Sequence, residues 1–193
     1  MDAFLVSLGM VAIAEIGDKT QLLSFVLAAR FKGRYGAVIA GIFFATIANH
    51  LVAALVGDWV AARLGPEVIR WILGGAFLLF AAWALIPDKL DDDGQARLYG
   101  GAFLTTLVLF FLAEIGDKTQ LATVALSANY GNLTAVTLGT TLGMMVANVP
   151  AVLLGAKLGE RFPLSRMRFV AAALFAVFGI LILLRLDRFL GLS

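Results

Sequence analysis

Six long apolar segments leave this chain few ways to fold. They run over 3–28, 36–57, 67–87, 99–126, 133–156 and 168–187, and each is long enough for a membrane crossing, which needs about 20 residues. Inside lipid every backbone amide and carbonyl must be satisfied within the structure, which favours helices, and the alternating pattern of barrel strands is absent. With 61% apolar residues and a mean hydropathy of +0.95, the chain is predicted to be an all-α integral membrane protein with six transmembrane helices.

Two of these segments contain the same nine residues. Ala14 to Leu22 and Ala113 to Leu121 both read Ala-Glu-Ile-Gly-Asp-Lys-Thr-Gln-Leu, which places two acids and a lysine at bilayer depth twice. One charge at the membrane centre costs about 2.5–3.5 kcal/mol on insertion scales. Because six such charges are an expensive arrangement, we interpret the repeated motif as a functional site.

The motifs mark two related halves of the chain. A shift of about 99 residues aligns the motifs and also places Asn49 on Asn148. Each half, 1–87 and 99–193, holds three predicted spans, and residues 88–98 form an acidic linker. Since an odd number of spans makes the second half enter the membrane from the opposite side, the halves are predicted to be inverted repeats with a substrate site where the motifs meet. A duplication kept only for packing would preserve small and apolar residues instead.

Basic residues lie unevenly on the two sides of the predicted spans. Outside the motifs, nine Lys and Arg residues follow the first, third and fifth spans, and four lie on the other side. The positive-inside rule then places both termini outside. Membrane topology thus explains the formal net charge of +2, and no nucleic-acid partner is expected.

The N-terminus lacks the basic region of a cleavable signal, so the first span is expected to stay in the mature protein.

The motif residues predict a site for a hard divalent cation. Glu15 and Asp18 are three residues apart and are predicted to share one helical face, as are Glu114 and Asp117. Mg²⁺, Ca²⁺ and Mn²⁺ prefer oxygen ligands, and the motif contains neither His nor Cys. Amide side chains are predicted to complete the shell, and the neighbouring hydroxyls and lysines to support it: Gln21, Gln120, Asn49 and Asn148, then Lys19, Lys118, Thr20, Thr119, Ser24 and Thr123.

Three further residues could touch the ion. His50 is the single histidine, but its counterpart in the second half is Val149, so a satisfied polar residue or an interface group is the favoured interpretation. Met144 and Met145 lie one turn before Asn148, where packing is favoured over a soft contact to the ion.

Glycines within and beyond the motif suggest two local features. Gly17 and Gly116 permit either a helix break that exposes backbone carbonyls, or the close approach of a neighbouring helix. Gly139 and Gly143 form a small-residue pair that predicts helix packing. Pro150 predicts a kink in the fifth span.

Lys19 and Lys118 admit two interpretations. Each lysine either pairs with a motif carboxylate or extends to the membrane interface, and so lowers the insertion cost. Alternatively all six charged groups face one cavity, and four carboxylates with two ammonium groups leave a net charge of −2, equal and opposite to one divalent cation. An empty dianionic site at low dielectric would take up protons, so this second interpretation predicts exchange of a divalent cation for protons.

The duplicated Glu-x-Gly-Asp-Lys-Thr segments, the three-plus-three organisation and the length resemble uncharacterised protein family 0016, which includes transmembrane protein 165 and bacterial manganese exporters. The resemblance covers essentially the whole chain. It implies a cation/proton exchanger that removes Mn²⁺ from the cytoplasm, with some members moving Ca²⁺, and it implies a bacterial inner membrane for this chain. It also implies that Glu15, Asp18, Glu114 and Asp117 are the essential acids, which would bind the ion and carry the protons.

The sequence is compatible with several other functions. A Ca²⁺/H⁺ antiporter of the same architecture is the main alternative, and a divalent-cation channel is less favoured because lysines in the motif suit a gated carrier better. An intramembrane enzyme is disfavoured because no nucleophile with a partner base is evident. An exporter of lysine or another amino acid is a minor alternative. No cofactor is expected, since the metal is the transported substrate, and the oligomeric state is left undetermined.

Overall fold

The computed structural model describes residues 2–86, 100–154 and 164–185, and all regular secondary structure in these ranges is α-helical. The described helices are α1 (Asp2–Glu15), α2 (Lys19–Arg30), α3 (Tyr35–Ala61), α4 (Pro66–Ala84), α5 (Ala102–Glu114), α6 (Lys118–Tyr130), α7 (Leu133–Leu154) and α8 (Leu164–Leu183). The predicted all-α class is confirmed. The predicted acidic linker, 88–98, lies outside the described residues.

The repeated motifs interrupt two of the predicted spans. The segment predicted as one helix over 3–28 consists of α1 and α2, and the segment 99–126 consists of α5 and α6. The prediction of one continuous helical face through each motif is therefore wrong. Among the described residues, three helices are long and apolar enough to cross a membrane, Tyr35–Ala61, Glu67–Ala84 and Leu133–Leu154. Ala3–Glu15, Ala102–Glu114 and Arg168–Leu183 are shorter apolar helices, so six crossings stay a prediction.

The distribution of polar and apolar side chains is that of a protein in lipid. Large apolar side chains point outward, and those of Leu79, Phe169 and Trp71 are 72%, 66% and 62% exposed. Polar side chains lie inside, including hydroxyls, amides and four acids. In water this arrangement would leave a very large apolar surface exposed. In a bilayer the same side chains contact the apolar lipid tails.

Helices of the two sequence halves pack across each other. Helix α1 packs mainly against α7, and α5 packs mainly against α3. The first helix of each half therefore packs against a helix of the other half. Helices α3 and α7 also contact each other, as do α4 and α8. Corresponding helices of the two halves thus make corresponding contacts.

Small residues allow these crossings. A Cβ atom added at Gly139 or Gly143 of α7 would lie 2.5 Å from a backbone carbonyl oxygen of α1, that of Phe4 or Leu8. Gly41 of α3 has the same relation to α5, with a built Cβ 2.8 Å from the carbonyl oxygen of Phe103. The packing role predicted for the glycine pair on α7 is confirmed. Pro150 lies inside α7, which corresponds to the predicted fifth span, and the kink at this proline stays a prediction.

Helices α4 and α8 form a separate aromatic pair. The rings of Phe77 and Phe178 meet edge to face, with their centroids 5.0 Å apart, and Phe80 and Phe175 join them. At the other end of the pair, Arg70 of α4 donates a hydrogen bond to the carbonyl oxygen of Leu183 in α8. Edge-to-face contacts of this kind add about 0.5–1.5 kcal/mol per pair beyond burial. Helices α4 and α8 therefore pack closely against each other along their lengths.

Replacing Gly143 by alanine is expected to lower the melting temperature of the purified protein. The new methyl group would meet the backbone of α1, and overpacking of this kind costs about 1–3 kcal/mol. Gly75→Ala in α4 is the matched control, because a Cβ there meets nothing within 4 Å. Thermal unfolding in detergent compares the two variants, and equal melting temperatures would contradict the close α1–α7 packing.

Candidate cation site

Each motif forms a short non-helical turn between two helices. Glu15 is the last residue of α1, and Asp18 is the N-cap of α2, with φ −83° and ψ 168°. Glu114 and Asp117 hold the same positions around α5 and α6, where Asp117 has φ −78° and ψ 164°. An N-cap carboxylate faces the positive end of its helix dipole, which compensates part of its charge.

Left-handed glycines produce both breaks. Gly17 has φ 85° and Gly116 has φ 75°, a conformation that side chains rarely adopt. A Cβ added at Gly116 meets nothing within 4 Å, so at this position the glycine serves the backbone turn and not the approach of a neighbour. Of the two interpretations offered by the sequence, the structure supports the helix break.

The motif glutamines close these turns. The amide of Gly17 donates to Gln21 Oε1 at 2.8 Å, and the amide of Gly116 donates to Gln120 Oε1 at 2.7 Å. The Nε2 atom of Gln21 donates to the carbonyl oxygen of Ala147 at 3.2 Å. In this conformation both side-chain oxygens accept hydrogen bonds from the break itself. The glutamines hold the turn in shape, and their role as ion ligands stays a prediction.

Acids from both copies converge at the centre of the molecule. Glu15, Asp18 and Asp117 each offer a carboxylate oxygen, and the three oxygens lie within 4.8 Å of one another. All three residues are buried, as is Glu114, which lies outside this triad. Within the described ranges, Glu15 Oε2 and Glu114 Oε2 have no hydrogen-bond partner. A buried carboxylate oxygen without a partner is costly, which makes this centre the candidate site for a cation.

Hydroxyls and one asparagine hold the glutamates in place. Thr20 donates a hydrogen bond to Glu15 Oε1, and Thr119 donates to Glu114 Oε1 at 2.6 Å. Asn148 Nδ2 also donates to Glu15 Oε1, at 3.0 Å, and its own Oδ1 accepts from Ser24 at 2.8 Å. These contacts place the predicted residues Thr20, Thr119 and Asn148 against the glutamates, and Ser24 against Asn148.

The corresponding residues of the other copy have different partners. Asn49 Nδ2 donates to the carbonyl oxygen of Phe111 at 3.1 Å, and its Oδ1 accepts from Gln120 Nε2 at 3.4 Å. Thr123 donates to the carbonyl oxygen of Thr119 at 2.8 Å, so it bonds its own helix. The structure therefore brings Asn148 to a motif glutamate, whereas Asn49 bonds to the backbone and to Gln120.

Both motif lysines pair with aspartates of the opposite copy. Lys118 Nζ lies 2.9 Å from Asp18 Oδ1, and Lys19 Nζ lies 3.2 Å from Asp117 Oδ1. The Lys118 side chain is 6% exposed and the Lys19 side chain 30% exposed. The lysines therefore belong to the same buried centre as the acids, and Lys118 does not extend to an interface.

Three residues lie beside the site although the sequence provided little or no indication that they would. His50 Nε2 lies 3.4 Å from Glu114 Oε1, and both side chains are completely buried. The sequence favoured a role away from the substrate for His50, because the second copy has valine at that position. Arg168, one of the nine basic residues counted for membrane topology, lines a small opening beside Asp18. The sulfur of Met144 accepts from Asn148 Nδ2 at 3.1 Å, which places it beside the site.

The geometry defines a class of protein: an all-helical membrane protein with outward apolar side chains and a buried acidic centre. Comparison with known proteins then identifies the family. The family model described as "Divalent cation/proton antiporter GDT1" matches residues 3–92 and 102–188. The chain belongs to the GDT1 family of divalent cation/proton antiporters, which is a family of transporters, and the resemblance drawn from the motifs is confirmed.

Individual relatives agree with this assignment. A protein of Vibrio cholerae named "Putative manganese exporter" is 49% identical over 176 residues, which are 91% of this chain and 87% of the relative. A GDT1-like protein of Synechocystis is 26% identical over 201 residues, 93% of this chain and 96% of the relative. GDT1-like protein 3 of Arabidopsis thaliana is 26% identical over 204 residues, 93% of this chain and 69% of the relative. No solved structure matches the chain.

Alanine at Gly116 is expected to impair the site more than alanine at Gly131 does. Both glycines have positive φ, 75° and 58°, so each substitution strains the backbone by roughly 1–2 kcal/mol. Only Gly116 positions the turn between Glu114 and Asp117. Divalent cation flux into proteoliposomes is expected to fall at least about tenfold for Gly116→Ala, the effect of about 1.4 kcal/mol of misplacement. Gly131→Ala should keep its flux, and equal loss in both variants would contradict a local role of the turn.

Proposed function

We propose that this chain is a secondary transporter that exports a divalent cation, foremost Mn²⁺, from the cytoplasm in exchange for protons. The observation that carries the proposal is the buried triad of Glu15, Asp18 and Asp117, which combines carboxylates from both motif copies within 4.8 Å. Carboxylate oxygens at this density are the ligands of hard divalent cations. The amides Gln21, Gln120, Asn49 and Asn148 complete the shell in at least one state of the transport cycle.

Charge balance links the cation to protons. Carboxylate oxygens of Glu15, Asp18 and Asp117 lie within 4.8 Å of one another, so the charges of these acids interact strongly in the buried centre. With both lysines paired to aspartates, the centre carries a net charge of −2. A divalent cation neutralises this charge, and protons do so in its absence. The same four acids therefore serve the ion and the protons in turn.

The two halves, 1–87 and 99–193, are proposed to be inverted three-helix repeats joined by the linker 88–98. In this arrangement each broken pair, α1–α2 and α5–α6, crosses the membrane as one interrupted span. The matching contacts of α1 with α7 and of α5 with α3 support the relation. Interrupted helices near the midplane are typical of ion sites in transporters built from such repeats.

We infer that alternating access, in which the site opens to each side of the membrane in turn, moves bodies drawn from both halves instead of rocking one repeat against the other. Helix α1 is held to α7 by close glycine contacts, and α5 is held to α3 in the same way. A motion that separated the halves would break both contacts. The proposed moving bodies are therefore mixed: α1, α2 and α7 form one, and α3, α5 and α6 form the other. The site lies between them.

Two neighbours of the site favour Mn²⁺ over Ca²⁺. The His50 imidazole contacts Glu114, and the Met144 sulfur contacts Asn148. Ca²⁺ binds oxygen almost exclusively, whereas imidazole and thioether neighbours suit transition metals better. The name of the Vibrio cholerae relative points the same way. Ca²⁺/H⁺ exchange by the same site is the alternative.

The proposed location is the bacterial inner membrane with both termini outside. Nine basic residues outside the motifs lie on the predicted cytoplasmic side, against four on the other. With this orientation, protons that enter from outside displace the ion and drive export.

Asp18→Asn and Asp117→Asn are each expected to abolish exchange while the protein stays folded. Asparagine keeps the shape of the side chain but removes one charge from the triad. The measurement is Mn²⁺ uptake against its concentration gradient in proteoliposomes, driven by an imposed pH gradient. Asp58→Asn is the control, because Asp58 is exposed near the end of α3, about 13 Å of helix beyond Asn49.

Two results would contradict this function. Wild-type uptake that stops at equal Mn²⁺ concentrations on both sides, whatever the pH gradient, would indicate a channel. Retention of uphill uptake by both aspartate variants would remove the triad from the transport site.

His50→Gln is expected to lower the preference for Mn²⁺ over Ca²⁺ by about tenfold. Glutamine can still bond to Glu114, but it replaces the imidazole nitrogens by an amide oxygen, the type of ligand that Ca²⁺ prefers. Parallel uptake of the two ions at equal concentration measures the ratio. An unchanged ratio with normal folding would place the selectivity elsewhere.

A further inference from the structure

We propose that Lys19 and Lys118 are tethered counter-cations, which bind the motif aspartates while the ion is away and are displaced when it enters. This inference rests on the proposed function, because it assumes that a divalent cation binds the triad. It assigns to the two lysines a task beyond lowering the cost of insertion. They compete with the transported ion and thereby limit how tightly the site holds it.

The competition follows from shared ligands. Two of the three carboxylates in the triad, Asp18 and Asp117, are also the partners of the lysines, at 2.9 and 3.2 Å. A divalent cation at the triad would lie within a few ångströms of both ammonium groups. Like charges at that distance repel strongly in a buried site, where the dielectric screening is weak. The ion and the two ammonium groups therefore cannot all occupy the centre together.

The pairs also tie the two motif copies to each other. Lys118 at the start of α6 binds the N-cap aspartate of α2, and Lys19 at the start of α2 binds the N-cap aspartate of α6. Displacement of the lysines by an ion releases both ties at once. Since α2 and α6 belong to different moving bodies, the ion binds preferentially to a state in which these bodies are free to shift. Ion binding and the conformational change are coupled through the lysines.

The two lysines are not equivalent competitors. The Lys118 side chain is 6% exposed, and the Lys19 side chain is 30% exposed. Water and mobile ions weaken the Lys19 pair, whereas the Lys118 pair keeps its full strength. Lys118 also has another favourable position within reach, because its Nζ lies 5.9 Å from the centroid of the Trp83 ring. Lys118 is therefore the main competitor.

Lys118→Met tests this role in the full-length chain. Methionine keeps the length and apolar stem of the side chain but removes its charge. The Kd for Mn²⁺, measured by calorimetry on the purified protein, is expected to fall about tenfold, since the ion no longer displaces an ammonium group. Turnover in proteoliposomes at saturating Mn²⁺ should fall as well, because the ion leaves more slowly. Lys118→Arg keeps the charge and should therefore not show the tighter Mn²⁺ binding of Lys118→Met.

Two further variants keep the test decisive. Lys19→Met is expected to tighten Mn²⁺ binding less than Lys118→Met, and it serves as the main test if the buried variant does not fold. Lys32→Met is the matched control: it removes one positive charge at an exposed position after α2 and should leave the Kd unchanged.

The outcomes separate this inference from the proposed function. Weaker or unchanged Mn²⁺ binding by folded Lys118→Met or Lys19→Met, with normal binding by the wild type, would overturn the competition alone. In that case the lysines only stabilise the site. A wild-type protein that binds no Mn²⁺ and carries no divalent cation would instead overturn the proposed function.

Discussion

The burial of four carboxylates at the centre of an apolar molecule is the constraint on which the rest of the structure depends. Each acid must be compensated, because an isolated charge at low dielectric costs many kcal/mol. Several kinds of group supply the compensation: lysines on the aspartates, threonines on the glutamates, and the N-termini of α2 and α6. The helix breaks are part of the same solution, since only a helix that begins at the site can direct its dipole at the acids.

Close helix packing makes this centre possible. The packing of α1 against α7 and of α5 against α3 brings the acids of one copy close to the lysine of the other. Gly139, Gly143 and Gly41 permit these approaches, since a side chain at any of them would meet the backbone opposite. The small-residue positions and the charged motifs are therefore linked physically, although they lie far apart in the sequence.

The sequence was sufficient to predict the helical membrane class, the family and the meeting of the two motifs, because apolar length and a repeated set of buried charges constrain these strongly. It misplaced the geometry inside the motif. A spacing of three residues from Glu15 to Asp18 suggests one helical face, but this inference assumes an unbroken helix, and the left-handed Gly17 ends it. The acids meet because the chain turns between them.

Long-range partners were beyond the reach of sequence reasoning. Asp18 and Lys19 are adjacent in the chain, yet neighbouring residues point in different directions, and each takes its partner from the other copy. Which of several possible pairings forms depends on the relative positions of α2 and α6. The local sequence does not determine these positions. His50 shows the same limit, since its contact with Glu114 joins residues 64 positions apart and has no counterpart in the second half.

The asymmetry between the two copies is of two kinds, and they have different consequences. His50 opposite Val149 is a difference of sequence, so it persists in every conformation and suits a property that must not change during transport, such as ion preference. Asn49 and Asn148 are the same residue with different partners, backbone and Glu15 respectively. A difference of this second kind can change with conformation, because the two asparagines carry the same hydrogen-bonding groups. In the proposed inverted-repeat mechanism, the two transport states differ in these contacts and not in the identities of the paired residues.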